Sequence, residues 1–243
     1  MTQYHVIISG ATGGIGSQIA KLVIQDENVI KCSLIYRNEE KFNYLFSRES
    51  SPKIEKIQID MEKNPEKRWS LLSPSHDKIA VRLVLAASTI IPIEHIEALT
   101  PHQIIANINT NVISQINLIS SVIHDALRLH QSVGIINLNS GAAYRPLSGW
   151  SLYSGSKSYL NIFLKTLVKE NPEVRVVSYD PGVVDTPMQQ IIRNTSKDIF
   201  DEVETFKKYQ LDAQLNDSLS VAEDIFNRYI RKWTANNFEE KYQ

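Results

Sequence analysis

Two periodicities alternate along the chain. Short, nearly continuous apolar runs such as "IAVRLVLAA" and "VGIINLN" are separated by longer stretches with apolar positions every three or four residues. Runs of the first kind read as parallel strands buried on both faces. Strands are predicted at about 4–9, 30–36, 54–59, 81–87, 133–139 and 174–179, with helices between them. Thr100-Pro101-His102-Gln103 reads as N-cap, N1 proline and capping-box Gln, and Ser220 with Glu223 as a second capping box. The repetition predicts an α/β fold: a single-domain, Rossmann-type doubly wound parallel sheet with helices on both faces. Nothing in composition splits residues 1–243 into two domains. The long mixed stretch at about 187–219 reads as a flap covering a substrate.

Composition narrows the function classes. A formal net charge of -1 argues against nucleic acid or a membrane surface as the main partner. No run reaches the roughly 18 apolar residues of a membrane span. The N-terminal "YHVIIS" is already strand-like, so a cytoplasmic location is expected. Cys32 is the single cysteine and reads as a buried thiol. The six histidines, at 5, 76, 95, 102, 124 and 130, show no metal-ligand spacing, so no metal site is expected.

Candidate chemistry begins at the first strand–helix turn, "ISGATGGIGSQIA". Gly10, Gly14 and Gly16 permit a tight turn whose backbone N–H groups, at a helix N-terminus, can cradle a pyrophosphate. Four glycines in seven residues would equally suit a flexible turn; their position after a strand favours the cradle. The second strand ends in Tyr36-Arg37, where a guanidinium suits the 2′-phosphate of NADP better than the ribose hydroxyl of NAD. Further on, "YSGSK" sets Tyr153 and Lys157 one helical turn apart, on one face, separated only by small residues. Ser140 ends a strand 13 residues earlier, where functional side chains of a parallel sheet collect.

These glycines, Ser140, Tyr153-x-x-x-Lys157 and "DPGVVDTPM" at 180–188 resemble, in order and spacing, the short-chain dehydrogenase/reductase family. Within it the chain looks most like the sepiapterin reductase and benzil reductase branch. The resemblance implies a catalytic tetrad of Asn109, Ser140, Tyr153 and Lys157. It implies cofactor contacts from Gly10, Thr12, Gly14, Ile15 and Gly16, from Arg37, Asp60, Ala86 and Ala87, and from Pro181, Gly182, Val184 and Thr186. Tyr153 would act as general acid toward a carbonyl oxygen. The nearby Lys157 ammonium would lower the tyrosine's usual pKa of about 10. Ser140 would orient the substrate, Lys157 would also hold the nicotinamide ribose, and Asn109 would position a water. Residues 154–156 would then be small so that this helix face admits cofactor and substrate.

Three departures qualify the match. Leu85-Ala86-Ala87-Ser88 replaces the family's Asn-Asn-Ala-Gly, so the hydrogen bonds of those asparagines must be replaced or absent. Position 13 is Gly where many NADP-preferring relatives carry a basic residue. The tail "KWTANNFEEKYQ" departs from the family's ending, and "KYQ" is either the stub of a seventh strand or a shorter end. The expected function is an NADPH-dependent carbonyl reductase acting on a small hydrophobic ketone or α-diketone. Tyr144, Leu147, Trp150, Met188 and Leu211 are candidate pocket residues. NAD-dependent alcohol oxidation and non-catalytic NADP(H) binding, for sensing or scaffolding, are the alternatives. A homodimer or homotetramer is expected from the resemblance, and the amphipathic "INTNVISQINLISSVIHDAL" suits either self-packing or burial within the chain.

Overall fold

The computed structural model describes residues 2–74 and 79–242; His76 lies outside them. Within these residues one sheet runs through β1 (Gln3–Ser9), β2 (Val29–Tyr36), β3 (Ile54–Gln58), β4 (Ile79–Leu85), β5 (Val133–Leu138), β6 (Arg175–Asp180) and β7 (Phe238–Tyr242). The spatial order is β3-β2-β1-β4-β5-β6-β7, every pair parallel. All six expected strands form. The tail supplies the seventh, which pairs with Val176–Asp180.

The helices are α1 (Gly14–Gln25), α2 (Glu39–Phe46), α3 (Pro101–Ile108), α4 (Ser114–Arg128), α5 (Ser151–Glu170), α6 (Pro187–Arg193), α7 (Val203–Leu211) and α8 (Ser218–Ile225). Alternation along each strand divides the core in two. Val6 and Ile8 of β1 pack with α1, α2 and α8, while Ile7 joins the cluster under α4 and α5. Side chains on both faces are removed from water, each contributing ~1.5–3 kcal/mol, and this explains the continuous apolar runs. The apolar face of α4 (Leu118, Ile119, Val122, Ile123, Ala126) is spent on this core. Its amphipathicity therefore reflects burial within the chain.

The cap at Thr100 forms as expected: Thr100 Oγ1 accepts from Gln103 N, and Thr100 N donates to Gln103 Oε1 at 2.9 Å. The expected cap at Ser220 does not form. Asp217 starts that helix three residues earlier, its carboxylate accepting from Ser220 N at 2.8 Å and Ser220 Oγ at 3.1 Å. Residues 187–219 form α6 and α7 over the carboxyl end of the sheet. Ile192, Phe200, Val203 and Phe206 pack there with Ile90, Ala142, Trp150 and Tyr153. The Trp150 and Phe200 rings stack with centroids 4.7 Å apart. No helix among the described residues is long and apolar enough to cross a membrane.

Candidate active site

The sheet order reverses between β1 and β4, and a crevice opens beyond strand carboxyl ends at such a switch point. Here it is a cleft of about 560 Å³. One end is backbone. Gly10 sits at φ +72, and a Cβ there would stand 2.6 Å from Ala87 N and 2.8 Å from Ala86 C, both backbone atoms. At Gly14 a Cβ would strike the Thr186 side chain, and at Gly16 the Gly10 carbonyl. Only glycine lets the turn close against its neighbours. Its amides open α1, whose first turn has no acidic residue, so the end is suited to an anion. Thr12, Ile15, Tyr36, Arg37, Lys41 and Asp60 continue the wall, and Ala86 and Ala87 line its centre. Pro181, Gly182, Val184 and Thr186 line the opposite side. A small-residue floor, a helix N-terminus and cations at the β2 tip fit an elongated dinucleotide.

The asparagine hydrogen bonds missing from Ala86-Ala87-Ser88 are replaced from elsewhere. Ser9 Oγ accepts from Ala87 N at 3.3 Å. The Asn111 amide accepts from Thr89 N and donates to Thr89 O, both at 2.8 Å, and accepts from Ser88 Oγ at 3.3 Å. Asn111 is 2 % exposed and lies in a single π-turn, Asn109–Ile113, between α3 and α4. Such a turn re-aims side chains within a helix. The Asn109 amide instead donates to the Glu62 carbonyl at 2.9 Å, and Asn109 is absent from the cleft wall, where Thr110 stands. The expected placement of Asn109 beside Tyr153 and Lys157 is thus corrected. Of the asparagines in "NINTN", Asn107 and Asn111 secure the cleft wall, through Ile91 O and Thr89 respectively. Asn109 and Asn111 were both visible in the sequence, but the local register that separates them was not.

At the other end, Ser140 follows β5 and caps the short turn Gly141–Ala143, its Oγ accepting from Ala142 N. Tyr153 and Lys157 line the same end from the first turns of α5. The expected lowering of the tyrosine pKa is overturned. Burial pushes Tyr153 up to about 12, the Ser140 hydroxyl opposes that, and the Asp180 charge adds to it. Burial pushes Lys157 down to about 8, with Asp180 opposing. Lys157 Nζ donates to the Leu138 carbonyl at 2.7 Å and stands 5.6 Å from the Tyr153 ring centroid. The Leu138 carbonyl thus holds the ammonium beside the tyrosine ring. Near neutral pH the site holds a protonated phenol beside an ammonium, a proton donor rather than a base.

Residues 154–156 are not what opens the cleft. Ser156 is buried and donates to Asn107 Oδ1 at 3.2 Å, while Gly155 lines a separate surface hollow with Tyr159 and Ile162. Of the expected pocket residues, Trp150 and Met188 line the cleft. Leu147 packs against the cluster behind it. Leu211 is 84 % exposed at the end of α7 and lies off the site. The Tyr144 hydroxyl turns to Glu240 at 2.8 Å, away from the cleft wall. Ile90, Ile192 and Phe206 supply the apolar wall instead, brought together by packing that no local pattern announces. Asp180 and Arg145 also face the cleft. The motif "DPG" displayed the first of these, though not its direction.

The sequence model described as short chain dehydrogenase matches residues 4–197. A benzil reductase ((S)-benzoin forming) from Bacillus cereus is 28% identical over 231 residues, 92% of each chain. Sepiapterin reductase from Bos taurus is 41% identical over 91 residues, 36% of this chain and 33% of that one. The crystal structure of the KRED1-Pglu enzyme superposes with a TM-score of 0.80 at 23% identity, covering 98% of this chain and 100% of the other.

Proposed function

The chain belongs to the short-chain dehydrogenase family, an oxidoreductase acting on carbonyl or CH–OH groups, and we propose from that premise that it is an NADPH-dependent carbonyl reductase for small ketones and α-diketones. One observation carries the reading: Ser140, Tyr153 and Lys157 share one cleft with the glycine turn, and the phenol is held protonated. The similarity to benzil reductases supports the substrate class. Arg37 and Lys41, together at the ribose end, support the 2′-phosphate of NADP. The Asn38 side chain is engaged in capping α2, and Glu39 and Glu40 stand outside the cleft wall.

The bound nicotinamide dinucleotide supplies the hydride. Gly10, Gly14 and Gly16 shape the backbone that would hold its phosphates, and Thr186 and Lys157, at the far end of the cleft, would hold the nicotinamide end. Ser140 donates to the substrate oxygen and orients it. Tyr153 gives its hydroxyl proton to the same oxygen as negative charge develops there, completing the alcohol. The Lys157 charge stabilises the phenolate left behind. Ile90, Trp150, Ile192 and Phe206 keep the carbonyl away from bulk water.

The test is oxidation of NADPH and, separately, NADH by purified protein with benzil and 1-phenyl-1,2-propanedione. Turnover with NADPH that is lost in Tyr153→Phe is the expected result. Tight NADPH binding without turnover of any ketone in a broad panel would sink the reading in favour of a binding protein.

A further inference from the structure

The proton-transfer chemistry above gives Asp180 of the cleft no part. Asp180 is the last residue of β6 and lines the same end as Ser140 and Tyr153. Its Oδ1 accepts from Gly182 N at 3.0 Å, which fixes the carboxyl plane. Its Oδ2 points back over the Ser140 turn, 3.4 Å from where a Gly141 Cβ would stand. Arg145 approaches that point from another side, with Nε at 3.9 Å and Nη2 at 4.0 Å. Among the described residues neither Arg145 nor Lys157 forms an ion pair with Asp180, and no donor reaches Oδ2. Burial pushes the carboxyl up from its ordinary value, while Gly182, Arg145 and Lys157 oppose this. An acceptor with an open lone pair thus stands beside the residue that orients the reacting oxygen.

We propose that Asp180 selects the substrate: its Oδ2 accepts a hydrogen bond from a hydroxyl or amide N–H carried by the carbon next to the reacting carbonyl. The assignment rests on the carbonyl-reductase reading and narrows it. The second oxygen of an α-diketone can only accept, so it meets the carboxylate lone pairs without a proton between them. The same skeleton with a hydroxyl there supplies that proton. A carboxylate acceptor makes the stronger class of hydrogen bond, and a buried one left unpaired is costly. Discrimination by a hydrogen bond of this kind exceeds what a methylene-sized change in an apolar pocket can produce. The product of reducing one carbonyl of a diketone is itself an α-hydroxy ketone. It satisfies Asp180 better than the starting diketone, so the hydroxy ketone is expected to be held more tightly than the diketone it came from.

The test compares 1-phenyl-1,2-propanedione with 2-hydroxy-1-phenylpropan-1-one, which share one carbon skeleton. Dissociation constants for NADPH-loaded protein are read from the rapid quenching of tryptophan fluorescence on stopped-flow mixing, before turnover, since Trp150 lines the cleft, and turnover is followed in parallel. Wild type should bind the hydroxy ketone about tenfold more tightly than the diketone. That ratio should fall to about one in Asp180→Ala and lie between in Asp180→Asn, whose amide oxygen accepts more weakly. The near-isosteric Asp180→Asn carries the test if the alanine variant does not fold. A wild type with no preference, or a ratio unchanged by either substitution, overturns the assignment. Retained discrimination without turnover of either ketone would count against the reductase reading while leaving the Asp180 assignment standing.

Discussion

The two ends of the cleft are built by different means. The cofactor end is made largely of backbone: a glycine turn, a helix N-terminus and a strand tip within residues 10–41, joined by Asp60, Ala86–Ala87 and the Pro181–Thr186 segment. The substrate end gathers side chains from five separated segments, around residues 90, 140–153, 157, 180–192 and 206. The first tolerates no added carbon at Gly10, because the neighbour is rigid backbone. The second is a packed cluster of side chains whose identity sets what fits. A fold can therefore keep its cofactor while changing its substrate, and the two ends should separate cleanly under mutation.

The largest separation is expected from Tyr153→Phe. Removing the proton donor should lower kcat/KM about a thousandfold, with the NADPH dissociation constant changed by no more than about twofold. A comparable loss of NADPH binding would show that the two ends are not independent. The pH profile sharpens the same point. Reduction needs a protonated Tyr153, near 12, and a charged Lys157, near 8. Activity should therefore fall as pH rises through about 8, because the lysine loses its proton first. Replacing Arg37 by Ala acts at the opposite end. It should raise KM for NADPH about tenfold and leave KM for NADH unchanged, since only the 2′-phosphate loses its charged partner.

The same division explains what was legible in the sequence. Six strands, the glycine turn and Tyr153-x-x-x-Lys157 depend on periodicity or fixed short spacing, and each stands where the sequence predicts. Every glycine, strand-tip and Pro-Gly position expected to meet the cofactor does line the cleft. What escaped depends on direction rather than spacing. Asn109 and Asn111 are two residues apart in one polar string, and the π-turn sends Asn109 to the Glu62 carbonyl and Asn111 to the backbone of Thr89. Ser220 was outcompeted as a cap by Asp217, whose carboxylate reaches both Ser220 N and Oγ. The tyrosine pKa was misread because spacing supplies distance along a helix but not burial, and burial is the larger influence here. Leu211 was hydrophobic and near the right segment, yet α7 turns it to solvent.

The smallest expected effect tests whether the substrate end reaches beyond the cleft itself. Glu240 of β7 accepts at Oε1 from Tyr144 Oη, Asn161 Nδ2 and Lys165 Nζ, each at 2.8 Å. Tyr144 Oη in turn accepts from Asn139 Nδ2 at 3.1 Å. Asn139 and Tyr144 bracket the turn that carries Ser140, so the last strand of the sheet braces that turn from both flanks. Burial works against the Glu240 charge, but the three donors outweigh it and hold the carboxyl down at about 2. The stability this contributes is fully present above the ordinary carboxylate value and is lost as pH falls toward 2. In Glu240→Gln the charge is gone, and the amide oxygen that takes the place of Oε1 accepts more weakly from the three donors. Ser140 should then orient its oxygen less well, lowering kcat about fivefold at unchanged NADPH affinity, with acid sensitivity reduced between pH 4.5 and 2. A fall in NADPH affinity of the same size would mean that β7 supports the whole sheet edge, and the separation between the two ends would have to be redrawn around it.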